Sequence, residues 1–174
     1  MSAEFQFRTL TESDAQGFRK LRLLALKQVP RAFGASYETE SAQPLSFFQD
    51  RCKTTVDKIT FGAFYQGNLI SISSLVREMA PKCRHYASIF SVFTHSDFRG
   101  QGLSKHLLSQ CIQQARQWAG VDYLQLGVAT DNAAALAVYQ QAGFQIWGTL
   151  PAALRVNGED INEHCMVLRL AENA

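Results

Sequence analysis

One helical stripe constrains this chain more than any other feature. Leu103, Leu107, Leu108, Cys111, Ile112, Ala115, Trp118 and Ala119 recur at the helical period, so a helix over 103–119 must bury one face. Gly120 follows it as a C-cap. Just upstream, residues 86–94 form a run rich in Ile, Phe and Val that reads as a strand. Between strand and helix lies a basic turn bearing two glycines, Arg99-Gly100-Gln101-Gly102.

The rest of the chain supplies partners for these two elements. Residues 5–10 alternate apolar and polar and read as a strand. Thr11 and Asp14 then resemble a capping box ahead of a helix whose apolar positions are Ala15, Phe18, Leu21, Leu24 and Ala25. Pro30 ends it, because the residue before proline is pushed out of the helical region. A shorter helix is expected at about 44–52. Residues 59–65 and 69–76 read as a hairpin around Gln66-Gly67-Asn68. Further strands are expected over 123–128, 144–148 and from about 162 to 170, with an Ala-rich helix over 133–142 stopped by Gly143. Thr130-Asp131-Asn132 offers capping residues for that helix.

The 174 residues fit a single domain spanning 1–174, and 47% apolar residues with 12 Phe allow a core without disulfides or a structural metal. Four cysteines, none in a C-x-x-C pair, do not form a disulfide framework, and Cys111 on the apolar stripe reads as a reduced core thiol. His106 and His164 have no partner spacing for a metal site, so no metal is expected. Trp118 and Trp147 are expected in the core or at its edge. A net charge of +2 with 18% charged residues gives no basis for nucleic-acid binding. The N-terminus has no signal-peptide pattern, and no run approaches the ~18 apolar residues of a membrane span. A cytoplasmic protein with no membrane partner is the expectation. Exposed strand edges leave monomer and homodimer both open.

The glycine-bearing turn suits a phosphate. First-turn amides of a helix lack internal partners and sit at the positive end of its dipole. Gly100 and Gly102 let the backbone approach an anion, and Arg99 adds charge. Other phosphate loops fail on the residues present. There is no G-x-x-x-x-G-K-[ST] run, and Lys105 stands where a dinucleotide fingerprint needs its third glycine.

Residues 99–104 resemble the R/Q-x-x-G-x-G/A signature of the GNAT superfamily of N-acetyltransferases, at Arg99, Gly102 and, less closely, Ser104. The same superfamily carries Asn, then Tyr seven positions on, then Gly-Phe, matched here by Asn132, Tyr139, Gly143 and Phe144. The order of elements from about 5 to 170 matches as well. The resemblance implies an α/β (α+β) fold. Its central twisted sheet would be mixed, mostly antiparallel, with about seven strands and about four flanking helices. It also implies transfer of an acetyl group from acetyl-CoA to a primary amine of a small molecule, peptide or protein, by direct attack in a ternary complex.

By the same resemblance, backbone groups of Val92, Phe93 and Thr94 hold the pantetheine arm, and Arg99, Gly100, Gln101, Gly102, Leu103 and Ser104 surround the phosphates. Asn132 and Tyr139 complete the cofactor contacts, with the Tyr139 hydroxyl as the acid that protonates the departing thiolate. The amine must first lose a proton, since a lysine-like ammonium has a pKa of about 10.4. Glu78, His85 and His95 are the ionisable side chains nearest in sequence, Glu78 being the one taken forward as base, with an ordered water chain as the other route. Glu38 and Glu40 could bind a cationic acceptor. Residues 29–50, 77–84 and 151–163 would set the acceptor and hold both signs of charge, which leaves its identity open. A non-catalytic acyl-CoA-binding sensor of the same fold is the alternative reading.

Overall fold

The computed structural model describes residues 4–170, and it joins all seven expected strands in one sheet. They are β1 (Gln6–Thr9), β2 (Lys58–Tyr65), β3 (Asn68–Arg77), β4 (Tyr86–Thr94), β5 (Tyr123–Ala129), β6 (Gln145–Val156) and β7 (Glu159–Arg169), in the spatial order β1-β2-β3-β4-β5-β7-β6. Neighbours pair antiparallel except β4 with β5, which run parallel. A parallel pair needs a crossover, and α4 (Leu103–Gln117) supplies it. The other helices are α1 (Ala15–Gln28), α2 (Tyr37–Ser41), α3 (Leu45–Cys52) and α5 (Ala133–Gln141).

Each face of the sheet carries its own apolar cluster. On one face Leu103, Leu107, Leu108, Cys111 and Ala115 of α4 pack on Ile59, Phe61, Leu75, Leu124 and Met166. On the other, Phe18 and Leu21 of α1 and Phe48 of α3 pack on Phe64, Ile72 and Phe93. Cys111 is fully buried, and burial pushes its thiol up to about 12, so it stays protonated as expected of a core thiol.

Three features depart from the sequence expectations. β6 does not stop near residue 148 but continues through Pro151 to Val156. It is the outer strand, where a missing N–H is tolerated, and register shifts with a left-handed Ala152 (φ 49°) absorb the irregularity. Asn157 and Gly158, at φ 52° and 81°, then close a two-residue hairpin turn onto β7. The short α2 was not expected; Ser36 Oγ caps it by accepting from Thr39 N at 3.1 Å. Trp147 does not pack in the core: it is 68% exposed on β6, with Ile146 and Leu150 also exposed.

The entry to α1 carries a charge that should be visible in acid. Arg8 donates to both carboxylate oxygens of Asp14 at 2.7 Å each, and Thr11 N donates at 2.8 Å. The guanidinium, outweighing partial burial and helped by the amide, holds Asp14 below its usual range. A lowered folded-state pKa contributes stability above the unfolded value, lost as pH falls through the folded one. Asp14→Asn is therefore expected to lower Tm at neutral pH. Its difference from wild type should begin to close below about pH 4, measured by thermal melts across pH.

Candidate active site

The site begins where β4 leaves β5. The two strands pair only at Tyr86↔Tyr123, Ala87↔Leu124 and Ser88↔Gln125, and beyond Ser88 they part. On its other side β4 holds a bulge. Ser74 faces Phe90 and Ile72 faces Phe93, so Ser91 and Val92 together oppose Ser73. Ser91 sits at φ 54°, a left-handed conformation that costs a non-glycine residue about 1–3 kcal/mol. Its hydroxyl accepts from Arg51 Nη2 at 2.9 Å, which ties the bulge to α3.

Past the bulge, β4 feeds the turn into α4. Gly100 and Gly102 lie at φ 75° and 78°, and a Cβ at either would meet no atom within 4 Å. Glycine is required there by backbone conformation rather than by crowding. Gly102 is the N-cap of α4 and offers no side-chain acceptor, so first-turn amides are left for an outside anion. Arg99 is fixed beside the turn, with Nε donating to Thr94 O at 3.2 Å.

α5 forms the far wall. Asn132 caps it, Oδ1 accepting from Ala135 N at 3.2 Å. Two turns further in, Tyr139 packs edge-on against Phe144, with ring centroids 6.1 Å apart. Burial, and to a smaller extent Cys111, pushes its phenol up to about 12. It is therefore protonated throughout the physiological range.

These parts enclose a cavity of about 500 Å³. Val92, Phe93, Thr94, Arg99, Gly100, Gly102, Leu103, Ser104, Asn132 and Tyr139 all line it. Gln101 does not; it lies exposed on the turn. A second cavity of about 540 Å³ opens on the face covered by α1 and α3, and Ala32, Val92, Asn132, Ala135 and Tyr139 line both. Tyr139 thus stands at the junction of two spaces.

The ionisable residues distribute unevenly around the second cavity. Glu78 lines neither space; its Oε1 accepts from Ser88 Oγ at 2.8 Å and from Gln125 Nε2 at 3.3 Å, where β4 and β5 are still paired. His85 meets Tyr86 and Tyr123 edge-on at the start of the same strands, and His95 follows β4, with Nδ1 accepting from Asp97 N. Neither lines a cavity. Glu40 is buried between Arg22 and Arg51, both of which do.

Sequence reasoning did not single out Glu163. It lines the second cavity from β7, and its carboxylate lies over Gly127, where an added Cβ would come within 3.0 Å of Oε2. Burial raises its pKa. The available signal was a glycine in mid-strand, which marks a close approach by another group.

The sequence model of the acetyltransferase (GNAT) family matches residues 23–144. An L-amino acid N-acetyltransferase of Escherichia coli (strain K12) is 29% identical over 104 residues, covering 60% of this chain and 64% of that protein. The N-alpha-acetyltransferase RimI of Mycobacterium tuberculosis is 43% identical over 63 residues, 36% of this chain and 37% of that protein. The chain thus spans less than two thirds of these relatives. Among solved structures, a putative acetyltransferase from Salmonella typhimurium with acetyl-CoA superposes with a TM-score of 0.81 at 20% identity, over 99% of this chain and 97% of that one. With the family match running through α4, β5, α5 and the turn that joins them, the chain belongs to the acetyltransferase (GNAT) family.

Proposed function

We propose that the chain is an acetyl-CoA-dependent N-acetyltransferase, a single domain over 1–174 that acetylates a primary amine. The observation that carries this reading is the convergence of β4, the α4 turn and Tyr139 on one cavity that joins a second. The acetyl-CoA held by the Salmonella neighbour supports the choice of cosubstrate. Four free cysteines accord with a reducing, cytoplasmic site of action.

Acetyl-CoA supplies an acyl thioester. The parted edge of β4 offers Val92, Phe93 and Thr94 backbone groups to an amide-bearing arm, as an added strand would be held. Amides at the start of α4, with Arg99, hold phosphate. In the balance of the reaction an N–C bond forms and a C–S bond breaks; the nitrogen loses one proton and the sulfur gains one. Tyr139, protonated at the junction, donates to the sulfur. Glu163 is better placed than Glu78 to receive the amine proton, because it lines the acceptor cavity and burial makes it more basic.

Glu163→Gln is expected to lower kcat/KM by about 100-fold and to remove the acid limb of its pH profile. Folding should not suffer. A carboxyl whose folded pKa is raised stabilises at low pH and loses that contribution as pH rises through the folded value, so the amide should hold or raise Tm at pH 7. Steady-state release of CoA thiol with an amine panel tests the reading. Turnover supports it; acetyl-CoA binding with no turnover on any amine would favour the sensor alternative.

A further inference from the structure

The acceptor cavity contains a buried charge imbalance. Arg22 is 4% exposed and Glu40 is 4% exposed, and they form a bidentate pair, Nε to Oε2 at 3.0 Å and Nη2 to Oε1 at 2.9 Å. Arg51 Nη1 shares the same Oε1 at 2.9 Å. One carboxylate therefore serves two guanidiniums, and Lys58 adds a third cation to the lining. Lys58 Nζ donates to the Asp50 carbonyl, which carries no net charge. The lining carboxylate Glu163 stands across the cavity on β7, beyond β5.

We infer that the acceptor is an amine that also carries a carboxylate, seated with its acid group toward Arg51 and Arg22 and its amine toward Glu163. The inference rests on the acetyltransferase reading above and names the class of molecule it acts on. Arg22 is buried and Arg51 half-buried, with 27% of its side chain exposed, so a single shared carboxylate leaves one positive charge of the pair uncompensated where the cavity meets them. Burial and the neighbouring Arg22 charge accordingly lower the pKa of Arg51, against the pull of Glu40. A second carboxylate arriving with the ligand removes that imbalance.

The donor geometry agrees. Arg22 uses Nε and Nη2 on Glu40, while Arg51 uses Nη1 on Glu40 and Nη2 on Ser91. Among the described residues neither Arg22 Nη1 nor Arg51 Nε has a hydrogen-bond acceptor, and Gln110 Oε1 is the buried side-chain atom found sealed without a partner. Those two N–H-bearing nitrogens therefore reach open space, and the open space beside both residues is this cavity. The surplus charge does not serve cofactor phosphates: Arg22 and Arg51 line the acceptor cavity and not the one beside the α4 turn. Bracing the Ser91 bulge accounts for Arg51 but gives no reason for a second guanidinium beneath it. Phe33, Phe90 and Leu154 add apolar surface to the same lining, suited to an apolar side chain branching from the carbon that bears the two charged groups.

The test is a kinetic comparison on the whole protein at fixed acetyl-CoA. Leucine, methionine, phenylalanine, aspartate and glutamate are each set against the α-amide and the decarboxylated amine. A peptide with a free N-terminus and an amidated C-terminus is included. Charge-assisted contacts predict that kcat/KM for the responsive amino acid exceeds that of its amide and its amine by about 10- to 100-fold. The amide has the more readily freed amine, so chemistry alone would favour it. Arg51→Gln leaves Arg22 and Glu40 as a one-to-one pair and is expected to narrow the preference to within about 3-fold, chiefly through KM. Should that variant fail to fold, the wild-type ratios still decide. Amides, amines or the peptide turned over as well as the amino acids would overturn the inference and leave the acetyltransferase reading standing. No turnover of any compound would remove that reading, and the inference with it.

Discussion

Replacing Tyr139 with phenylalanine is expected to lower kcat by about 1000-fold while leaving Tm and acetyl-CoA affinity essentially unchanged. The ring is what packs: it is 7% exposed and meets Phe144 edge-on, and phenylalanine keeps both contacts. Only the hydroxyl is lost, at the point where the two cavities meet. With its pKa pushed up to about 12, the phenol is a donor throughout the physiological range. As the C–S bond breaks, negative charge collects on sulfur beside a buried hydroxyl. A donor fixed beforehand stabilises that charge without reorganising. Pre-steady-state and steady-state rates, read beside a melt, separate the outcomes. A fall in Tm of several degrees, or a variant as fast as wild type, would show the hydroxyl to be packing rather than chemistry.

Glu40→Ala is expected to destabilise the fold by about 3–5 kcal/mol, the range for removing one partner from a buried ion pair. Two guanidiniums would lose their shared acceptor, and Arg22 would be left charged at 4% exposure. Burial alone would raise the Glu40 carboxyl, but Arg22 and Arg51 outweigh it and hold the group below its usual range. Its contribution should therefore be present near neutrality and be lost as pH falls through the folded value. Urea unfolding at pH 7 measures the loss. A change under about 0.5 kcal/mol, the size of an ordinary surface substitution, would mean the triad is solvated and not a structural charge centre.

These two residues also show what the sequence made legible. Tyr139 stood out because its position relative to Asn132 and Gly143 is a local spacing, set within one helix and its caps. The α4 stripe was legible for the same reason, since a helical period reports which face is buried, and β4 was legible as a short run rich in Ile, Phe and Val. Gly100 and Gly102 marked the anion turn in the sequence, and their role there is the positive φ of 75° and 78° rather than relief of crowding. The Glu40 triad was not readable: its partners lie eighteen and eleven residues away on other helices, and only tertiary packing joins them. Glu163 reaches the acceptor cavity because β7 returns beside β5, a pairing over more than thirty residues of chain. The sequence reading ended β6 at Gly148, whereas the strand runs on through Pro151, which is admissible at a sheet edge. There a local signal was missed, since Asn157-Gly158 is a strong hairpin dipeptide. Exposed Trp147 went the other way, an apolar residue whose burial no periodicity required.

The central claim is that the turn at the start of α4 and the parted edge of β4 hold acetyl-CoA. The most direct measurement is a thermal-shift titration of wild type and of the Arg99→Ala/Gly102→Glu double variant with acetyl-CoA, CoA and ATP. A ligand that binds only the folded state raises Tm by mass action. The expected result is a rise with acetyl-CoA and with CoA, none with ATP, and no rise for the variant, whose new carboxylate sits at the left-handed N-cap where phosphate would lie. No shift of wild type with any of the three at millimolar concentration would contradict the account, as would a shift that survives the double substitution.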